Sequence, residues 1–261
     1  MKNKRIRIIL IAIAVIALLA AGGLVFFRPA GPEGPLKGKV IFLAGDSRSS
    51  TDYTFYKEIL ERKTGAKVLV EGASGCLTAY NASNEYFERL KQKHDFSIWL
   101  VGGNDEGSAG TIGTFSAESE LGKTGEKVVT ETDIEEEYNG DTFIQAVDYI
   151  MRKYKAECPG GRMIFCTDLP QQRDSKESEW SKEENWERKR EAIIECCEKN
   201  QVQCLDLYGL CQFDMEEEPM FKAPTDTETN KGKFFMDGLH PNPNGIEKIT
   251  DFEVEAMLKE K

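Results

Sequence analysis

Apolar residues fall in short continuous runs separated by longer amphipathic stretches. Residues 40–44, Val-Ile-Phe-Leu-Ala, form an unbroken apolar run, the pattern of a strand buried on both faces. Similar runs recur at 67–70, 96–101, 162–167 and, more briefly, 202–207. Between them the spacing becomes helical. Helices are predicted over 53–63, 79–91, 133–155, 183–200 and 245–259. In the third, Asp133 stands as the cap and Tyr138, Phe143, Val147 and Ile150 lie on the apolar stripe. Strand and helix alternate five times. The chain therefore reads as an α/β protein: a parallel sheet of about five strands in a three-layer α/β/α sandwich.

Three segments depart from this alternation. Residues 8–27 are uncharged and almost wholly apolar, about one bilayer span. Lys2, Lys4, Arg5 and Arg7 precede them, which places the N-terminus in the cytoplasm and the remainder outside. A cleaved signal peptide is the rival, with Ala20-Ala21-Gly22-Gly23 as its site. The apolar run continues through Phe27, past the usual length of a signal core, and this favours an uncleaved membrane anchor. Residues 28–38, rich in Pro and Gly, read as a spacer, and 39–261 as the folded domain. Residues 106–132 lack either periodicity and form an insertion, read as a lid, a partner surface or a plain surface loop.

Composition narrows the partners. Hydrophobic content of 40% and charged content of 30% are ordinary for a globular chain. The net charge is −11; residues 1–38 carry +5, so the domain carries −16. Such a body repels nucleic acid and anionic lipid. Seven cysteines cannot all pair within the chain. Cys196-Cys197, Cys204 and Cys211 lack the Cys-x-x-Cys spacing of a metal site and have no histidine beside them, so no metal is expected.

Chemistry gathers at the predicted strand ends. Gly45-Asp46-Ser47 follows the first strand, which makes Ser47 a candidate nucleophile at the edge where open α/β sheets bind ligands. The chain has two histidines. His94, beside Lys91 and Lys93, reads as a cation at a helix C-terminus. His240 follows Asp237 by three residues in a turn, a spacing that lets a carboxylate hold the imidazole as a base. Gly75 follows the second strand and Asn104 the third. With the backbone N–H of Ser47 they offer three donors for an oxyanion.

Four blocks in order carry a resemblance: Gly45-Asp46-Ser47, Gly72-Ala73-Ser74-Gly75, Gly102-Gly103-Asn104-Asp105 and Asp237-Gly238-Leu239-His240. The chain resembles the SGNH hydrolase superfamily, the GDSL-type esterases and lipases, over about 39–261. The resemblance implies a flavodoxin-like fold and no cofactor. It makes Ser47 the nucleophile, His240 the base and Asp237 its orienter, with Ser47, Gly75 and Asn104 as the oxyanion hole. Arg48 stands where the family name has leucine, and a charge there is expected to alter the site entrance and to disfavour lipid. The expected activity is that of a membrane-anchored, extracytoplasmic serine esterase. Short acyl groups on carbohydrate are its expected substrates, and Tyr80, Trp180 and Trp186 are aromatic candidates for stacking or for the core. An acyltransferase using the same triad, or an idle glycan- or partner-binding module, are the alternatives.

Overall fold

A computed structural model describes residues 33–50, 55–105, 142–171, 183–219 and 232–259. The strands are β1 (Val40–Gly45), β2 (Lys67–Val70), β3 (Phe96–Leu100), β4 (Arg162–Cys166) and β5 (Gln203–Leu205). All pair in parallel, in the order β2-β1-β3-β4-β5, with Leu43 opposite both Val70 and Ile98. The helices are α1 (Tyr56–Thr64), α2 (Thr78–Asn81), α3 (Asn84–Leu90), α4 (Phe143–Glu157), α5 (Glu183–Asn200), α6 (Leu207–Cys211) and α7 (Pro243–Leu258).

Alternation along the strands divides the core in two. Phe42 and Ala44 of β1 point to one face, where Trp99 and Phe165 meet α3, α4 and α5. Ile41 and Leu43 point to the other, against α1, α6 and α7. Both faces are covered, which is why the strands read as continuous apolar runs. The expected three-layer sandwich is present. No helix among the described residues is long and apolar enough to cross a membrane. The anchor expected over 8–27, the 106–132 insertion and Trp180 lie outside the described residues.

Local chemistry moves several boundaries. The single helix predicted over 79–91 is two, because Ser83 is extended and its side chain caps the Tyr86 N–H. The helix predicted from Asp133 begins at Phe143 instead. Thr142 and Gln145 form a reciprocal capping box there, and Asp133 itself lies outside the described residues. His94 does not stand at a helix C-terminus. It lies four residues past the end of α3 and is buried, with Nδ1 at 2.7 Å from the Gln92 carbonyl and Nε2 at 2.6 Å from the Tyr154 hydroxyl. A ring packed against Phe42 with both nitrogens bonded serves the core.

One buried acid strains this fold at neutral pH. Glu253 on α7 is fully buried and accepts a hydrogen bond from the Tyr56 hydroxyl. Burial, only partly offset by Tyr56 and Lys63, pushes its carboxyl up to about 8. The folded protein therefore binds a proton that the unfolded chain releases above its ordinary value of 4.5. Stability falls as pH rises from there towards 8, by up to about 3 kcal/mol at pH 7. Glu253→Gln keeps an oxygen for Tyr56 and removes the proton. Denaturant melts are expected to find it more stable than wild type at pH 7–8 and equal at pH 4; a gain of equal size at both would mean simple repacking.

Candidate active site

The strand order puts β1 and β3 side by side while their connections leave in opposite directions along the sheet. This is the switch point of a doubly wound sheet, where a crevice opens beyond the strand ends. Ser47 leaves β1 there, and Asn104 leaves β3.

Ser47 opens a single 3₁₀ turn, Ser47–Ser49. Its hydroxyl lies 2.9 Å from His240 Nε2. His240 Nδ1 lies 2.7 Å from Asp237 Oδ2. With Nδ1–H donating to the carboxylate, Nε2 is left as acceptor for the Ser47 O–H. Asp237 is itself held by the backbone N–H groups of Leu239 (2.9 Å) and His240 (2.7 Å). Burial pushes its carboxyl up, but His240 and these N–H groups outweigh it and hold the acid below its usual range.

The histidine turn is fixed from both ends. Phe235 and Pro241 form an antiparallel bridge, and the Met236 N–H donates to the His240 carbonyl at 2.8 Å. Asn242 then caps α7, with Pro243 in its first turn. Glu218 is buried and accepts from the Phe234 and Phe235 N–H groups, so it pins the segment leading into Asp237.

Gly75 and Asn104 stand on the adjoining loops. Gly72 presses on the backbone of Ser49 so closely that a Cβ has no room, and the Ser50 and Ser74 hydroxyls meet at 3.3 Å. The loop after β2 is thereby set against the Ser47 turn. Gly75 adopts φ +73°, which glycine reaches without strain. The Asn104 amide donates to the Cys76 carbonyl at 3.0 Å, joining the loop after β3 to Gly75's neighbour and leaving its second N–H for another acceptor. Asp105 accepts from the backbone and hydroxyl of Thr78. Ser47, His240 and Asp237 are thus joined by direct hydrogen bonds; Gly75 and Asn104 are joined to them through loop packing. Cys76 is no rival nucleophile. Burial, with Asp46 and Asp105 nearby, pushes its thiol up to about 12. All seven cysteines are free thiols.

Beneath the serine lies a buried charge network that corrects the reading of Arg48. Arg48 does not face the entrance; it is fully buried. Its guanidinium bonds Asp46 through Nε (3.0 Å) and Nη2 (2.7 Å), and Asp168 through Nη1. Burial disfavours the charge, but the two carboxylates more than restore it. Asp46 is in turn held ionised against burial, chiefly by Arg48, and it accepts the Gly103 N–H at 3.0 Å. Gly103 lies 2.7 Å, measured from where a Cβ would stand, from the guanidinium, so any side chain there would collide. Lys189 of α5 reaches Asp168 at 3.5 Å and donates to the Gly102 carbonyl at 2.7 Å. Asp46 and Lys189 therefore clamp the peptide groups just before Asn104, and Arg48 and Asp168 tie the two together. Asp168 follows β4 as Ser47 follows β1, so the rule that selected the other strand ends could have selected it.

A sequence profile described as the GDSL-like lipase/acylhydrolase family matches residues 42–248. No curated protein matches the sequence. Among solved structures, a Lactobacillus plantarum protein is similar at 17% identity and a TM-score of 0.60, covering 84% of this chain and 96% of that one. A possible lipase from Chitinophaga pinensis gives 16% and 0.59, covering 84% and 97%. A family 3 carbohydrate esterase from Clostridium thermocellum gives 15% and 0.50, covering 83% and 94%. At these identities the likeness concerns the fold.

Proposed function

The chain belongs to the GDSL-like lipase/acylhydrolase family, the family of an ester-hydrolysing enzyme, and from that premise we propose that Ser47, His240 and Asp237 carry the reaction. The observation behind this reading is the unbroken bond sequence from Ser47 Oγ to His240 Nε2 and from Nδ1 to Asp237. Ser47 Oγ attacks the ester carbonyl carbon while its proton passes to His240 Nε2. The carbonyl oxygen becomes an oxyanion that receives the Ser47 and Gly75 backbone N–H groups and the second amide N–H of Asn104. Collapse expels the alcohol, which takes the proton from His240 and leaves an acyl-enzyme. Water then gives His240 a proton and attacks the acyl carbon; collapse releases the acid while His240 returns that proton to Ser47 Oγ. Asp237 holds the ring in the productive tautomer and stabilises the imidazolium in both halves.

The substrate class we favour is a short acyl group, such as acetyl, on a carbohydrate, and one fold neighbour is a carbohydrate esterase. The apolar run at 8–27 behind a basic tail supports a membrane-anchored enzyme acting outside the cytoplasm. Hydrolysis of p-nitrophenyl acetate by the full-length protein tests the chemistry. Wild type is expected to turn it over and Ser47→Ala to fall to background. Equal turnover by the two would remove Ser47 from the mechanism.

A further inference from the structure

The proposed oxyanion donor Asn104 stands on a segment that does not fix its own shape. Residues 102–105 make a β-turn, closed by the Asp105 N–H on the Gly102 carbonyl at 3.3 Å, a loose bond. Its first two residues are glycines, the residue with the most backbone freedom, and Gly102 sits at φ +106°. The turn therefore relies on ties from outside. One is the Gly103 N–H, which donates to Asp46, beside Ser47, at 3.0 Å. Another is Lys189 of α5, whose ammonium donates to the Gly102 carbonyl at 2.7 Å. A third, from Gln171 to the Gly103 carbonyl, is long at 3.4 Å. Gly102 thus gives its two acceptor positions to Asp105 and Lys189, and Asn104 lies two residues on.

Lys189 is 2% exposed, and an ammonium taken out of water is costly unless it is bonded. An ion pair alone does not account for it. Its carboxylate partner Asp168 stands at 3.5 Å, and the Asp168 Oδ2 that faces it accepts no hydrogen bond among the described residues. The other oxygen of that carboxylate serves Arg48. The short contact of Lys189 is the one to Gly102. The rings of Phe143 and Trp186, at 5.9 and 5.2 Å, lie under the ammonium. We propose that Lys189 is a positioning residue for the hydrolysis, holding the Gly102 carbonyl so that the turn delivers the Asn104 amide to the oxyanion. Such a tie is felt in the transition state, because the oxyanion does not yet exist in the bound ester. The proposal rests on the esterase reading above and adds to it a residue from outside the four sequence blocks.

Lys189→Met keeps most of the side chain and loses the donor. In the full-length protein it is expected to lower kcat on p-nitrophenyl acetate about 10- to 100-fold with KM within about twofold, a smaller loss than the roughly 10²–10³ of Asn104→Ala. Lys189→Met/Asn104→Ala is expected to be no slower than Asn104→Ala, because Lys189 acts through Asn104. An unchanged kcat, a loss carried by KM, or losses that multiply would overturn the positioning. Lys189→Met leaves Asp168 to Arg48 alone, so Lys189→Met/Asp168→Asn, which removes one charge of each sign, is melted and assayed beside it. It is expected to melt closer to wild type and to stay as slow; a kcat that recovers with Tm would make the role one of charge balance and also overturn the proposal. NMR of the protein carrying isotope-labelled asparagine reads the turn without turnover. The Asn104 side-chain amide pair, identified by its loss in Asn104→Ala, is expected to move in both Lys189 variants while most other pairs stay. An unmoved Asn104 pair sinks the positioning. A wild type idle on the ester sinks the esterase reading instead, and the Asn104 pair then still decides whether Lys189 holds the turn.

Discussion

His240→Ala is expected to lower kcat on a simple ester by about four to six orders of magnitude while leaving the protein folded. The imidazole is the group that can take the Ser47 proton across the 2.9 Å contact and return it to the leaving alcohol. Its removal takes little from the fold. Asp237 keeps the backbone N–H groups of residues 239 and 240, and the Phe235–Pro241 bridge is untouched. A Tm within about 4 °C of wild type is expected, and thermal melts beside the kinetics check it. Asp237→Asn is the sharper companion. An amide facing Nδ1 turns that nitrogen into the acceptor and leaves a hydrogen on Nε2, where it cannot accept from Ser47. A loss of about 10³–10⁴ in kcat is expected. The Ser47→Ala/His240→Ala double variant is expected to be no worse than either single one, because the residues act as a unit. Multiplying losses would mean that they do not.

The largest effect on stability is expected from Arg48→Leu, which installs the residue that the family name carries. In this chain the leucine would leave the buried carboxylate of Asp46 without its cation and that of Asp168 with Lys189 alone. Breaking a buried pair from one side costs about 3–5 kcal/mol, because the orphaned charge stays behind. Asp46 sets the pH dependence. Its folded-state pKa is depressed in wild type, so its contribution is present above the ordinary carboxylate range and is lost as pH falls below it. The variant lacks that contribution. Its deficit in urea melts should therefore be greatest at pH 7 and narrow towards pH 3, where Asp46 protonates. Adding Asp168→Asn should recover part of the loss. A deficit that is flat across pH would mean that packing around leucine, and not charge, decides the matter.

Much of this could be read from the chain. The continuous apolar runs placed all five strands, since a parallel sheet covered on both faces needs just such runs. Ser47, Asp237 and His240 were legible because a catalytic base was sought among two histidines. What escaped were groups whose partners come from elsewhere in the chain. Arg48 looked like a surface charge because one of the two carboxylates that hold it, Asp168, lies 120 residues away. His94 looked like a helix-terminal cation because Tyr154, which bonds it, lies 60 residues away. The helix boundaries moved for a local reason: the side chains of Ser83 and Thr142 satisfy backbone donors that a periodicity of apolar positions does not register.

The hydrogen bond between Ser47 and His240 joins positions 193 residues apart. Ribosomes make protein from the N-terminus at about 5–20 residues per second, so roughly 10–40 s separate the two syntheses. During that interval a nascent chain can pair β1 with β2 and β3, yet its serine has no base. On the proposed mechanism, a message truncated before codon 240 yields no active esterase. Turnover of a chromogenic ester would therefore report more than catalysis: it would signal that residues 47 and 240 have both been made and have met.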